Sequence, residues 1–157
     1  MAALRRTTQD DLPRLRQFWQ EHWLGEEMLV HGDVYRPEQL EGFVNEDWTG
    51  LVTYRIEGDG CEIISLDSLK EGMGIGTALI EAVAQEAGKR GCRRVFLSTT
   101  NDNLHALGFY QRRGFELVKI HRGAVTESRK IKPTIPLISE NNIPIRDEIE
   151  LEMKLND

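Results

Sequence analysis

Residues 71–77 read Glu71-Gly72-Met73-Gly74-Ile75-Gly76-Thr77 and join a β-rich segment to a helical pattern. Glycines at such a junction allow a tight turn in which backbone N–H groups point toward a ligand. The helix that follows adds the positive end of its dipole, so the loop favours an anion. We therefore predict that this loop binds a pyrophosphate group.

Two familiar nucleotide-binding motifs do not fit this loop. A P-loop ends in Gly-Lys-Ser/Thr, whereas this loop ends in Gly76-Thr77-Ala78. The dinucleotide-binding pattern requires a third glycine at the position that Leu79 occupies here. An alternative stays open, in which the glycines only permit close packing at the start of a helix.

The segments around the loop predict the element order β-β-α-β-α-β. Before the loop, two β-rich segments flank turn-forming residues, which predicts an antiparallel hairpin from Leu51–Ile56, Glu57–Gly60 and Cys61–Leu69. After it, helix, strand, helix and strand are predicted over Thr77–Lys89, Cys92–Thr100, Asn103–Arg112 and Phe115–His121. Alternating polarity predicts a closing strand at Ile149–Leu155.

The N-terminal part predicts a short strand followed by a helix. Leu4–Thr7 is the strand, and Thr8 has the character of a helix N-cap, with Asp11 three residues later. An apolar stripe at helical spacing then follows, formed by Leu12, Leu15, Trp19 and Trp23. Residues 24–48 predict helix and loop, with a short helix at Pro37–Val44.

A second motif lies on the helix predicted at Asn103–Arg112. Asn103, Ala106 and Tyr110 share one face of it, and Gly114-Phe115 follows. Together with the glycine loop, this arrangement resembles the GCN5-related N-acetyltransferase (GNAT) superfamily, whose motif runs Gln/Arg-x-x-Gly-x-Gly/Ala, helix, strand, Asn-x-x-Ala-x-x-x-Tyr and Gly-Phe. The corresponding stretches here are Glu71-Gly72-Met73-Gly74-Ile75-Gly76 and Asn103-Leu104-His105-Ala106-Leu107-Gly108-Phe109-Tyr110.

The resemblance implies both a fold and an activity. The fold is of the α/β (α+β) class, with a mixed, twisted sheet flanked by helices, and residues 1–157 form a single domain. Its two central parallel strands, here Cys61–Leu69 and Cys92–Thr100, splay apart so that coenzyme A enters between them. The implied activity is transfer of the acetyl group of acetyl-CoA, the co-substrate, to a primary amine by direct attack in a ternary complex.

The resemblance also implies roles for individual residues. The pyrophosphate would rest on the backbone amides of the loop residues Glu71, Gly72, Met73, Gly74, Ile75, Gly76 and Thr77. The pantetheine arm would pair with the strand edge at Leu66 and Leu69 and contact Asn103 and Ala106 of the helix. Tyr110 would donate a proton to the thiolate leaving group, because a phenol is protonated at neutral pH.

The sequence does not decide which residue is the general base. Glu62, early on the first splayed strand, is our candidate and would act through a water molecule, with Asp67 as an alternative. A dedicated base is unnecessary if the amine has a lowered pKa. The chain departs from the family motif at Glu71, where Gln or Arg is usual, so only its backbone is assigned a role.

Other functions stay open beside the enzyme. A non-catalytic acyl-CoA sensor or binding module would use the same groove, and a structural domain would use the glycines for packing alone. The acceptor would be a small-molecule amine or a protein amino group, selected by Trp23–Val44 and Gly123–Glu150. A homodimer is possible. His22, His105 and His121 show no metal-ligand spacing.

Composition limits the remaining classes of function. The formal net charge of −6 disfavours nucleic acid and anionic membranes as partners. No apolar run is long enough to span a bilayer, and Met1–Arg6 does not lead into a signal peptide, so we expect a soluble cytoplasmic protein. Cys61 and Cys92 lack the spacing of a zinc site or disulfide framework, so free thiols and no bound metal are expected.

Overall fold

The computed structural model describes residues 3–23 and 25–155. In this part of the chain the strands are β1 (Leu4–Arg6), β2 (Met28–Val30), β3 (Asp33–Tyr35), β4 (Glu41–Asn45), β5 (Gly50–Glu57), β6 (Gly60–Ser68), β7 (Arg94–Thr100), β8 (Glu116–His121) and β9 (Glu148–Lys154). Seven of them form one sheet in the order β1-β4-β5-β6-β7-β9-β8, and β2 and β3 form a separate hairpin. The helices are α1 (Leu12–Trp23), α2 (Ile75–Lys89), α3 (Leu104–Arg112) and α4 (Ala124–Ile131).

The centre of the sheet is a fork between two parallel strands. β6 and β7 pair only at Gly60↔Arg94, Cys61↔Val95 and Glu62↔Phe96. Beyond Glu62, β6 continues to Ser68 along β5, whereas β7 continues to Thr100 along β9. The mixed sheet with splayed parallel strands is therefore confirmed.

A β-bulge bends the β6 arm of this fork. The pairing with β5 passes from Tyr54↔Ile63 to Thr53↔Ser65, which leaves Ile64 as an extra residue. A bulge interrupts the hydrogen-bond ladder and increases the local twist. The arm thus turns away from β7 just past the last residue that pairs with it.

Apolar side chains pack against both faces of the sheet and form two cores. One core lies under α2 and α3 and includes Cys61, Ile63 and Tyr110, and the other lies under α1 and includes Ile64. Cys61 and Cys92 are buried and free, so the prediction of free thiols is confirmed. Burial raises the pKa of Cys61 to about 12, which keeps this thiol protonated.

The hairpin predicted around Glu57–Gly60 is present as β5 and β6, but the region before it differs from the prediction. The short helix predicted at Pro37–Val44 is wrong, because a 3-10 turn at Pro37–Gln39 leads into β4 instead. Residues 25–36 form the β2–β3 hairpin rather than helix and loop, and residue 24 lies outside the described residues. α4 was not predicted either.

At the N-terminus, Thr8 caps a 3-10 turn at Gln9–Asp11 that leads into α1. The Thr8 backbone N–H donates to Asp11 Oδ2 at 2.8 Å, as the capping prediction requires. Among the described helices, none has the length and apolar character needed to cross a membrane.

Candidate active site

The glycine loop leads directly from β6 into the first turn of α2. Gly72 and Gly74 adopt left-handed backbone conformations, with φ of 76° and 71°. Gly74 is the N-cap of α2, and it provides no side-chain hydrogen bond to the helix. The first N–H groups of a helix have no partner within it, so those of α2 are free to bind an anion.

The glycines of the loop have different structural roles. A Cβ on Gly72 or Gly74 would meet no atom within 4 Å, whereas one on Gly76 would lie 2.8 Å from Phe109 Cζ. Gly76 therefore allows α2 to pack closely against α3. Close packing, the alternative left open by the sequence, explains Gly76, but the conformation and open surroundings of Gly72 and Gly74 require another reason.

A pair of glycine substitutions in α2 tests the packing role of Gly76. We expect Gly76→Ala to lower the free energy of unfolding by about 1–3 kcal/mol, because Phe109 must move. The control Gly88→Ala lies in the same helix with no atom within 4 Å of its Cβ. It should stabilise the protein by about 0.5–1 kcal/mol. Urea denaturation measures both, and equal effects would contradict the packing role.

One arginine lies beside the start of α2. Arg113 Nε donates to Thr77 Oγ1 at 2.9 Å, and its guanidinium stacks over the Phe109 ring at 3.6 Å from the centroid. Lys70, which precedes the loop, donates to Asp47 Oδ2 at 3.1 Å. Sequence analysis missed Arg113 because 36 residues separate it from Thr77.

The open edge of β6 lies between the glycine loop and the base of the fork. The Leu69 N–H donates to Thr49 O at 2.8 Å, toward the β5 side, and is therefore already used. Because peptide groups alternate in direction along a strand, those of Leu66 and Ser68 face the open edge. Leu66 is thus placed to pair with an extended ligand, whereas the backbone of Leu69 faces the β5 side and leaves only its exposed side chain for a ligand. Ser68 joins the candidate residues.

α3 begins at the far end of the fork. Asn103 is its N-cap, and Oδ1 accepts from the Ala106 N–H at 3.1 Å. This bond uses the Ala106 amide and leaves Asn103 Nδ2 to donate to a ligand. The Ala106 side chain packs against the core, so its contribution is a close approach of the helix.

Tyr110 lies on the α3 side of the fork. The residue is 8% exposed, and its ring packs edge-on against Phe109 and Phe115. Burial, and then the negative charge of Asp67, raise the pKa of Tyr110 well above its usual value. The hydroxyl is therefore protonated at neutral pH and can only act as a donor in acid–base chemistry.

Glu62 lies on the opposite face of β6 from Tyr110. Cys61 and Ile63 share a core with Tyr110, and side chains alternate along a strand, so Glu62 points to the other face. Glu62 is 5% exposed, and Arg55 NH1 lies 3.4 Å from its Oε1. Burial raises the pKa of Glu62, an effect that Arg55 partly offsets.

Asp67, the alternative base, lies in a different environment. Its Oδ2 accepts from Trp23 Nε1 at 3.0 Å, which ties the end of β6 to α1. Burial raises the pKa of Asp67, with the Trp23 bond acting in the opposite direction. Each candidate thus has one engaged carboxylate oxygen, held by Trp23 at 3.0 Å in Asp67 and by Arg55 at the longer distance of 3.4 Å in Glu62.

A cleft of about 380 Å³ opens on the face of the fork toward which Glu62 points, although Glu62 is not among its lining residues. Its walls come from both arms of the fork, with Ile64 on β6 and Ser98 on β7, and from the β2–β3 hairpin, α4 and Asn103. Beside it, His31 at the hairpin tip places Nε2 2.6 Å from Ser98 Oγ. The buried Glu148 accepts from the His31 backbone N–H at 3.2 Å.

Two histidines that are distant in sequence meet next to this cleft. The rings of His31 and His121 are 4.3 Å apart, and ligand atoms of both and of Glu150 lie within 4.8 Å of one another. Three such groups could hold a metal ion. Arg94 NH1 lies 3.1 Å from Glu150, however, and competes for that carboxylate. Sequence spacing gave no signal for this cluster.

Comparison with known proteins identifies the family. The model of the acetyltransferase (GNAT) family matches residues 4–115. The chain belongs to the GNAT family. A Bacillus subtilis protein, the uncharacterized protein YxbD, is 46% identical over 142 residues, which cover 88% of this chain and 89% of that protein.

Solved structures agree with this GNAT fold. A Bacillus subtilis acetyltransferase in complex with CoA superimposes with a TM-score of 0.70 at 19% identity, covering 99% of this chain and 100% of that one. A GNAT family acetyltransferase from Elizabethkingia anophelis with acetyl-CoA bound has a TM-score of 0.69 at 20% identity, covering 98% and 97%. These likenesses show the fold.

The departure of this chain from the GNAT motif falls at an exposed position. Glu71, which replaces the usual Gln or Arg, lies in the exposed segment before Gly74. A carboxylate there adds negative charge near the start of α2, where Arg113 provides a positive one. Only the backbone of Glu71 is therefore suited to face a phosphate.

Proposed function

We propose that this protein is an N-acetyltransferase that transfers the acetyl group of acetyl-CoA to a primary amine by direct attack. The fork between β6 and β7 carries the proposal, because it joins a cleft on one face of the sheet to Tyr110 on the other. A thioester held in the fork would expose its carbonyl carbon to the cleft. Its sulfur would face Tyr110.

The residues that we assign to acetyl-CoA binding are those with hydrogen-bonding groups free to contact it. The amides of Glu71, Gly72, Met73, Gly74, Ile75, Gly76 and Thr77 would bind the pyrophosphate at the start of α2. The open edge at Leu66 and the Nδ2 of Asn103 would hold the pantetheine arm. Peptide N–H groups along that edge would also donate to the oxyanion of the tetrahedral intermediate.

Two proton transfers accompany the reaction. The amine nitrogen attacks the thioester carbonyl to form the tetrahedral intermediate, which then breaks its C–S bond, and the nitrogen loses its proton to Glu62 through a water molecule. Tyr110 donates its hydroxyl proton to the departing thiolate. Because the two residues lie on opposite faces of the sheet, the base meets the amine and the acid meets the sulfur. Burial raises the pKa of Glu62, so its carboxylate accepts protons more readily, and it raises the pKa of Tyr110, so the hydroxyl is still protonated when the sulfur departs.

Calorimetry and a turnover assay test this function together. We expect acetyl-CoA and CoA to bind, and we expect thiol release from acetyl-CoA with matching mass gain on a primary amine. Binding without turnover on a broad amine panel would favour the acyl-CoA sensor. Absence of binding to both would leave the structural domain.

A charge substitution tests the placement of the pyrophosphate. We expect Arg113→Gln to weaken CoA binding by about tenfold, because a charged hydrogen-bond donor beside Thr77 is lost. Arg112→Gln removes the same charge from the adjacent, exposed position on α3 and serves as the control. Titration calorimetry compares the two dissociation constants, and equal affinities would place the phosphates away from Arg113.

A further inference from the structure

We propose that the acceptor is a small primary monoamine on an apolar body, whose ammonium group is bound by Glu148. This inference rests on the proposed N-acetyltransferase function and names its substrate class. It concerns the cleft of about 380 Å³ on the Glu62 face of the fork, which we call the acceptor cleft. Its size lies near the lower end of the range for small-molecule sites, which is about 300–1,000 Å³.

The walls of the acceptor cleft are mostly apolar. Side chains from four parts of the chain contribute: Met28, Val30, Ile64, Val125, Ile135 and Ile145. Met28, Val125 and Ile145 are themselves buried, so these walls are held in place by packing behind them. Such walls favour an aliphatic or aromatic body over a polyhydroxylated one.

Glu148 supplies the charge of the acceptor cleft. The residue is 6% exposed and lines the cleft at the start of β9. Its contacts are the His31 backbone N–H at 3.2 Å and His31 Nδ1 at 3.7 Å. Among the described residues, no lysine or arginine forms a salt bridge with it. A buried carboxylate without such a partner favours a cationic ligand.

The other charged groups that line the cleft do not offer a second buried site. Glu27 is 49% exposed in its side chain and is paired with Arg36. Lys132 follows α4 and is neither buried nor acidic. A second ammonium group would therefore meet no second buried carboxylate, and a carboxylate on the acceptor would meet only the half-buried Lys132 among the lining residues. This disfavours diamines and free amino acids as preferred acceptors.

The acceptor cleft is continuous with the site of transfer. Ile64 is the bulged residue at the opening of the fork, and Ser98 and Thr99 belong to the opposite arm. Asn103, the proposed pantetheine contact, lines the same cleft. An amine bound at Glu148 thus enters the space into which the thioester carbonyl would face.

A substrate comparison with the wild-type protein tests this class directly. We expect kcat/KM for 2-phenylethylamine to exceed that for L-phenylalanine, which adds a carboxylate, and that for 1,4-diaminobutane, which adds a cation, by at least about tenfold each. Preference for either of the others overturns the inference and leaves acetyl transfer standing. Failure to acetylate 2-phenylethylamine, in a protein that binds acetyl-CoA, also overturns it. Failure to bind acetyl-CoA at all overturns the proposed function itself.

A variant isolates the contact with Glu148. We expect Glu148→Gln to raise KM for 2-phenylethylamine at least about tenfold, because a charged contact is lost. Inhibition by the neutral analogue 2-phenylethanol should be unchanged, which a merely structural role for Glu148 would not allow. Glu127→Gln, on an α4 side chain that is 70% exposed, is the control and should match the wild type. An equal loss for amine and alcohol, or no change in the KM of the amine, overturns the role of Glu148.

Discussion

Replacing Tyr110 with phenylalanine is expected to lower kcat by about 100-fold or more while acetyl-CoA still binds. The substitution removes the hydroxyl that would protonate the thiolate, but it keeps the ring packed against Phe109 and Phe115. Without a donor, the sulfur must leave as an unprotonated thiolate. Calorimetry for acetyl-CoA binding and a thiol-release assay measure the two effects separately.

The chain offers a matched control for this substitution. Tyr54 is also buried, and its hydroxyl has no hydrogen-bond partner among the described residues. Tyr54→Phe therefore removes the same atom without removing a bond, and kcat should stay within about twofold of the wild type. If Tyr110→Phe behaved like Tyr54→Phe, Tyr110 would be a packing residue and the proton would come from solvent.

The second large effect is expected for Glu62→Gln, which should lower kcat/KM about 100-fold at neutral pH. Glutamine has nearly the same shape but cannot accept the proton of the amine. Because burial raises the pKa of Glu62 above 4.5, its carboxyl is protonated over a wider acidic range than usual. Activity of the wild type should thus rise with pH as this group loses its proton.

The pH profile distinguishes a base from a structural carboxylate. In Glu62→Gln, the acidic limb that belongs to Glu62 should disappear, and the ionisation of the amine alone should set the profile. Glu86→Gln is the control, because Glu86 is another largely buried carboxylate paired with arginines, on the part of α2 away from the fork. Glu86→Gln should change the stability of the protein and leave the pH profile of its activity unchanged. An unchanged acidic limb in Glu62→Gln would show that Glu62 is not the base.

The central part of the fold could be predicted because its signals are local. The Glu57–Gly60 turn, the glycines before α2 and Asn103 before α3 each determine a boundary through the residues next to them. The order of these motifs along the chain then matched that of the GNAT superfamily. The sequence could not show that Gly76 and Gly72 have different roles, because the difference depends on the contact between position 76 and Phe109.

The acceptor side could not be predicted because its contacts are long-range. His31 and Gly32 form the β2–β3 turn with φ of 52° and 80°, although histidine there is not a strong turn signal. The partners that explain the hairpin, Ser98 and Glu148, lie 67 and 117 residues further on. Neither helical nor strand periodicity carries information over such separations.

The position of β9 has a consequence for the order in which the sheet is completed during translation. β9 lies between β7 and β8 and pairs with β7 at all seven of its residues, from Arg94↔Lys154 to Thr100↔Glu148. A ribosome produces β8 before β9, so the nascent β8 has no neighbour in the sheet until then. One arm of the fork therefore stays unsupported until residues 148–154 have left the exit tunnel. The emerging chain should acquire its affinity for acetyl-CoA only at that late step.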